Sequence, residues 1–103
     1  KIKRTPTTTN NVLMRIARVD ANQKTIVKQI RQIGGYVLHT HQLKNAFDIL
    51  VGYQGKTYII EIKANSKGKL TKGELECRNG FERVGVSYYV IYSFEQFLEI
   101  TKQ

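Results

Sequence analysis

Two apolar runs flank Gln54-Gly55: FDILVGY at 47–53 and KTYIIEIKA at 56–64. A two-residue, glycine-containing junction between β-branched runs specifies an antiparallel hairpin. A loop centred there pairs residues whose numbers sum to 109, so Asp48 faces Glu61. Cross-strand neighbours have Cβ atoms ~4.5–5.5 Å apart, and two carboxylates so placed repel unless a positive charge lies between them. Lys63 follows Glu61 by two residues and shares its face, whereas Phe47, Ile49, Ile60 and Ile62 alternate to the other side as core. Charges seldom enter such a strand unpaired, because desolvating them costs several kcal/mol. One strand face thus gathers Asp, Glu and Lys.

The rest of the chain supplies the layers that cover this hairpin. DANQKTIVKQIRQI at 20–33 begins with a capping-box pattern, Asp20 then Gln23, and places Ile26, Val27, Ile30 and Ile33 at helical spacing before Gly34-Gly35. Strands are expected at 36–40, 46–52 and 57–64. NSKGKLTK at 65–72 reads as a basic loop, and Thr71-x-x-Glu74 repeats the capping box. Glu74, Cys77, Phe81 and Val84 then form a helical stripe ending near Gly85. A fourth strand at 87–92 and a short amphipathic helix at 93–102 complete an α/β chain in the order α-β-β-β-α-β-α, with a mixed central sheet flanked by helices. KIKRTPTTTNN at 1–11 reads as a flexible basic arm, leaving 12–103 as one domain. The chain opens at Lys1 instead of Met, as a trimmed or processed product would.

Seventeen Lys and Arg against eight Asp and Glu give a net charge of +9, a field that favours polyanions and nucleic acid first. No apolar run approaches the ~20 residues of a spanning helix, which argues against membrane insertion and for a soluble, intracellular protein. Cys77 has no second cysteine to pair with, and with His39 and His41 makes no zinc set. A paired carboxylate site suits hard, oxygen-loving Mg²⁺ or Mn²⁺. The Lys63 ammonium would position or help deprotonate an attacking water, or stabilise transition-state charge.

Asp48, twelve intervening residues and then Glu61-Ile62-Lys63 resembles the Asp…Glu-x-Lys signature of the PD-(D/E)XK nuclease superfamily. With DANQ at 20–23, FDILVGYQGKTYIIEIKANSKGKLT at 47–71 and GVSYYVIYSFEQFLEI at 85–100, the chain is similar to the small stand-alone VRR-NUC branch of phage and bacteria. The resemblance implies a restriction-endonuclease-like fold and Mg²⁺- or Mn²⁺-dependent endonucleolytic hydrolysis of DNA in the cytoplasm of a bacterial or phage-infected cell. It makes Asp48 and Glu61 metal ligands, adds the Ile62 carbonyl to the metal, and makes Lys63 the catalytic lysine. It also implies branched DNA such as four-way junctions as substrate. Such substrates call for a homodimer, with candidate surface in the exposed aromatics and the last helix.

Three positions depart from the family pattern. Phe47 stands where Pro is frequent, Gln23 where the first helix often carries Glu, and Glu74 where relatives often show Gln. Gln23 and Glu74 are therefore candidates both for the site and for helix capping. Lys67, Lys69 and Lys72, with Lys44 and Arg78, form the expected nucleic-acid contact, which Lys28 and Arg83 extend. His39 and His41 read as a surface pair, Tyr88, Tyr89 and Tyr92 as sheet packing, and Cys77 as inert core. The alternative function is a non-catalytic basic module that binds nucleic acid through charge alone; an adaptor for an acidic protein is the third.

Overall fold

Gln54 and Gly55 both adopt positive φ, 49° and 81°, the pair of left-handed residues a type I′ hairpin turn requires. The turn joins β2 (Ile49–Tyr53) to β3 (Lys56–Ile62) in the expected register, with Ile49 opposite Ile60 and Val51 opposite Tyr58. The structure, a computed structural model, describes residues 21–103. The expected arm at 1–11, the first part of the expected domain and the cap residue Asp20 lie outside the described residues.

The described elements run α1 (Ala21–Gln32), β1 (Tyr36–His39), β2, β3, α2 (Lys72–Arg83), β4 (Tyr88–Ile91) and α3 (Phe94–Thr101). They form a mixed sheet of order β1-β2-β3-β4, with β1 and β2 antiparallel to their neighbours in the hairpin and β4 parallel to β3. A parallel neighbour needs a crossover, and α2 is that crossover. Among the described residues no helix is long and apolar enough to cross a membrane.

Alternation divides the sheet into two faces. Val37, Ile49, Val51, Tyr58, Ile60, Ile62 and Ile91 bury one face against Ile26, Val27 and Ile30 of α1 and Phe97 of α3. Phe97 closes that core with ring contacts to Tyr53, Tyr58 and Phe94. The opposite face bears Ile59, Glu61 and Tyr88, and α2 lies over it. Glu61 is therefore a carboxylate between a strand and a helix, 4% exposed.

Three expectations are corrected here. β2 starts at Ile49, three residues later than the sequence suggests. Phe47 consequently precedes the strand, and alternation does not carry it into the core. Its ring meets Phe81 of α2 and Tyr88 of β4 edge-on, with centroids 6.1 and 6.4 Å apart. The stripe on the 72–83 helix is not a buried seam either: α2 has no buried residue, Cys77 is half-buried and Val84 is 72% exposed. A twelve-residue crossover that covers one flank of a four-stranded sheet leaves its far turns in solvent.

Candidate active site

The parallel pair β3 and β4 ends where β2 begins, so the polar residues flanking these strands converge at one end of the sheet. Open α/β sheets place ligands at the carboxyl ends of their parallel strands. Asp48 sits one residue before β2, yet the hydrogen-bond ladder holds it: its N–H donates to Ile60 O at 3.1 Å and its carbonyl accepts from Thr40 N at 2.8 Å. Its carboxylate accepts the Ile62 N–H through Oδ2 at 2.8 Å. The two residues before it are clamped as well. Thr40 Oγ1 donates to Phe47 O and Tyr88 OH to Ala46 O, at 2.8 and 2.9 Å. A loop residue thereby acquires the positional precision of a strand.

Glu61 lies beside two other carboxylates, those of Asp48 and Glu74, whose charges act on it. Burial and the Asp48 charge push its pKa up to about 8, with only partial relief from Lys63. Burial also raises Asp48, against the opposing Ile62 N–H bond. Lys63 Nζ contacts Glu61 Oε2 at 3.2 Å and Glu74 Oε1 at 2.9 Å. Burial would discharge this ammonium, but the two acidic partners outweigh it and hold the lysine above its usual range. Glu74 moves the other way. Its burial cost is overcome by Lys63, the Thr71 N–H and Glu61, which keep it below the usual carboxylate range.

Glu74 Oε1 also accepts from Thr71 N at 2.9 Å, and Thr71 Oγ1 accepts from Glu74 N at 3.1 Å. The residue is a capping-box member and a site member at once, so the two readings of the sequence do not compete. Gln23 is buried on α1, 4% exposed. Its neighbour Asn22 reaches the site: Nδ2 donates to Lys63 O at 2.7 Å and to Tyr92 O at 3.1 Å. Asn22 was not a candidate on sequence grounds, because its partners lie 41 and 70 residues away.

Two glycines let loops close around the lysine. A Cβ added at Gly68 would lie 2.7 Å from Lys63 Cβ, so the 65–70 loop folds onto the lysine stem. A Cβ at Gly73 would overlap the side chain of Asn45, which adopts positive φ of 60°. That contact brings Lys44 beside the start of α2, where Lys72 is the first helical residue. Lys44, Lys67, Lys69 and Lys72 are all exposed. Arg78 departs from this set: it is half-buried, and its covered Nε has no hydrogen-bond partner among the described residues.

The remaining candidates resolve as packing. His39 and His41 meet edge-on at 5.7 Å, but both ring nitrogens of His41 are covered and have no hydrogen-bond partner among the described residues, so it is not a surface residue like His39. Tyr88 and Tyr89 pack in the sheet, whereas Tyr92 lies past the end of β4 and is exposed. Burial and the Glu61 charge raise the Cys77 thiol, which suits an inert side chain.

The donor set bears on which ion fits. Among the described residues no three His, Cys, Asp or Glu side chains form a metal-holding group. Asp48 and Glu61 would therefore offer two carboxylates and leave the other positions to main chain, water and substrate. Mg²⁺ and Mn²⁺ accept that arrangement, whereas a structural zinc site closes with four Cys or His ligands.

No family model matches the sequence, and no curated protein matches it. A solved structure described as a VRR_NUC domain superposes with a TM-score of 0.64 at 24% identity, covering 85% of this chain and 95% of that one. Over 85% of its length the chain therefore carries the fold of the VRR_NUC domain.

Proposed function

We propose that the chain is a metal-dependent deoxyribonuclease that hydrolyses phosphodiester bonds, with Asp48 and Glu61 as ligands of Mg²⁺ or Mn²⁺, the Ile62 carbonyl beside them, and Lys63 as the catalytic lysine. The observation that carries it is the convergence of Asp48, Glu61 and Lys63 at the carboxyl end of β3, in a fold shared with a VRR_NUC domain. A bound divalent ion supplies charge neutralisation on the scissile phosphate and a more acidic water.

The chain's own residues do the rest. Lys63 is held charged by Glu61 and Glu74, so it acts as a cation that stabilises the developing negative charge and orients the nucleophilic water, not as the proton acceptor. Glu74 holds that ammonium at a fixed point, while Asp48 is fixed by the Ile62 N–H and the clamped 46–48 segment. Lys67, Lys69, Lys72 and Lys44 surround the mouth and bind backbone phosphates without reading bases. A small basic domain with little surface for base contacts favours shape over sequence. That supports branched DNA, such as four-way junctions, presented to two copies of the chain.

The test is cleavage of labelled four-way-junction, flap, single-stranded and linear duplex DNA in Mg²⁺ or Mn²⁺, alongside sedimentation of the free protein. Cutting that requires the ion, with a preference for the junction and a dimer mass, supports the full proposal. Binding without cutting of any substrate overturns catalysis and leaves the charge-only module.

A further inference from the structure

α1 carries Lys24, Lys28 and Arg31 and no acidic residue. All three are exposed, one turn or nearly one turn apart, and so form a single stripe beside the buried face of Ile26, Val27 and Ile30. They line an open groove of about 500 Å³ with Val27, Gln32 and His39 of β1, and none of these lining residues is acidic. The Arg31 guanidinium is anchored by donating to Val37 O at 3.2 Å, which fixes its direction before any ligand arrives. The helix starts at the candidate site, where Asn22 holds Lys63 O, and runs away from it for ~14 Å by Arg31. Lys24 to Lys28 is a step of ~6 Å along the axis. That is close to the step between successive phosphates of one strand.

We propose that the Lys24–Lys28–Arg31 groove is a second phosphate-backbone contact. It would hold the nucleic-acid arm that continues past the cleavage point. The proposal rests on the nuclease reading for where the scissile phosphate lies. Its occupant is chosen by charge: a cationic stripe with an anchored guanidinium and no acidic lining residue suits a regular polyanion. Loss of a lysine–phosphate contact lowers the dependence of log affinity on log salt by ~0.9 per contact for duplex DNA.

The experiment measures affinity of the full chain for a fluorescent 30-bp duplex (length chosen to be roughly three turns) by anisotropy, in EDTA, across a series of NaCl concentrations. Lys24→Gln/Lys28→Gln is expected to reduce the salt slope by about two contacts. Lys24→Arg/Lys28→Arg is expected to keep it. Lys56→Gln/Lys102→Gln removes the same net charge elsewhere and is expected to leave the slope near that of the unmodified chain. An unchanged slope in the first variant, or an equal loss in the last, overturns the proposal, as does loss in the arginine variant. Cleavage in Mn²⁺ is scored on the same preparations. No cleavage with the slope change intact brings down the nuclease reading alone. Cleavage with an unchanged slope brings down the groove alone.

Discussion

Lys63 Nζ donates to Glu74 Oε1 at 2.9 Å, and that oxygen also takes the Thr71 N–H that caps α2. One carboxylate thus ties the start of a helix to the end of a neighbouring strand. Glu74→Gln keeps the shape but removes the charge that holds the ammonium. It is expected to cost about 1–2 kcal/mol in urea denaturation, the scale of a charged hydrogen bond, because Gln at this position still accepts the Thr71 N–H. Any cleavage should fall far more than binding. A variant as stable as the parent would show the Lys63–Glu74 charge pairing to be incidental to stability.

In the ion-free protein, Glu61 makes stability depend on pH with a defined sign. Its pKa is about 8 when folded against an ordinary 4.5, so the folded state favours the protonated form. That contribution is fully present below pH 4.5 and is lost as pH rises through about 8. Glu74, held low, contributes the opposite: stability present above 4.5 and lost as pH falls through its depressed value. In EDTA, the denaturation midpoint should drop between pH 5 and pH 9, and Glu61→Gln should flatten the drop and exceed the parent at pH 9. A parent midpoint that climbs through this window more than that of Glu61→Gln contradicts the prediction.

Divalent ions should reverse that loss. At pH 8.5 Glu61 is largely ionised, so a bound Mn²⁺ would offset the crowded carboxylate charge and raise the melting temperature. Asp48→Asn and Glu61→Gln should each abolish the rise. Equal Mn²⁺ stabilisation of parent and both variants would place the ion elsewhere.

Asn22→Ala removes two hydrogen bonds that reach Lys63 O and Tyr92 O. The expected loss is about 1 kcal/mol of stability. The end of α1 should loosen, which amide hydrogen exchange in residues 21–26 would report. Protection there equal to the parent would remove Asn22 from the scaffold of the site.

Gly68→Ala places a methyl 2.7 Å from Lys63 Cβ. Either the lysine or the loop must move. Turnover should therefore fall with little change in the urea midpoint, because the loop is exposed and packs against little else. A fall in stability without a fall in turnover would mean that the loop, not the lysine, absorbs the strain.

Much of this geometry is legible in the sequence because it is local. Gln54-Gly55 sets a turn, the turn sets a register, and the register brings Asp48 to Glu61. Thr71 and Glu74 announce a helix start through a spacing of three. What escaped was long-range or edge-related. Asn22 finds partners far along the chain, and no local pattern marks it. Phe47 obeys strand alternation only if the strand includes it; the Tyr88 and Thr40 bonds instead hold 46–48 as a loop. The exposed end of α2 reflects how little sheet a domain of this size can offer a crossover helix.

The most direct test of the central claim compares the unmodified chain with Asp48→Asn and Lys63→Ala on the substrate it cuts best, measuring single-turnover cleavage in Mg²⁺ and affinity in Ca²⁺ side by side. The account predicts cleavage down at least ~100-fold in both variants, the scale of losing one transition-state contact, with affinity within a few-fold of the parent. Cleavage by either variant at the parent's rate would contradict it.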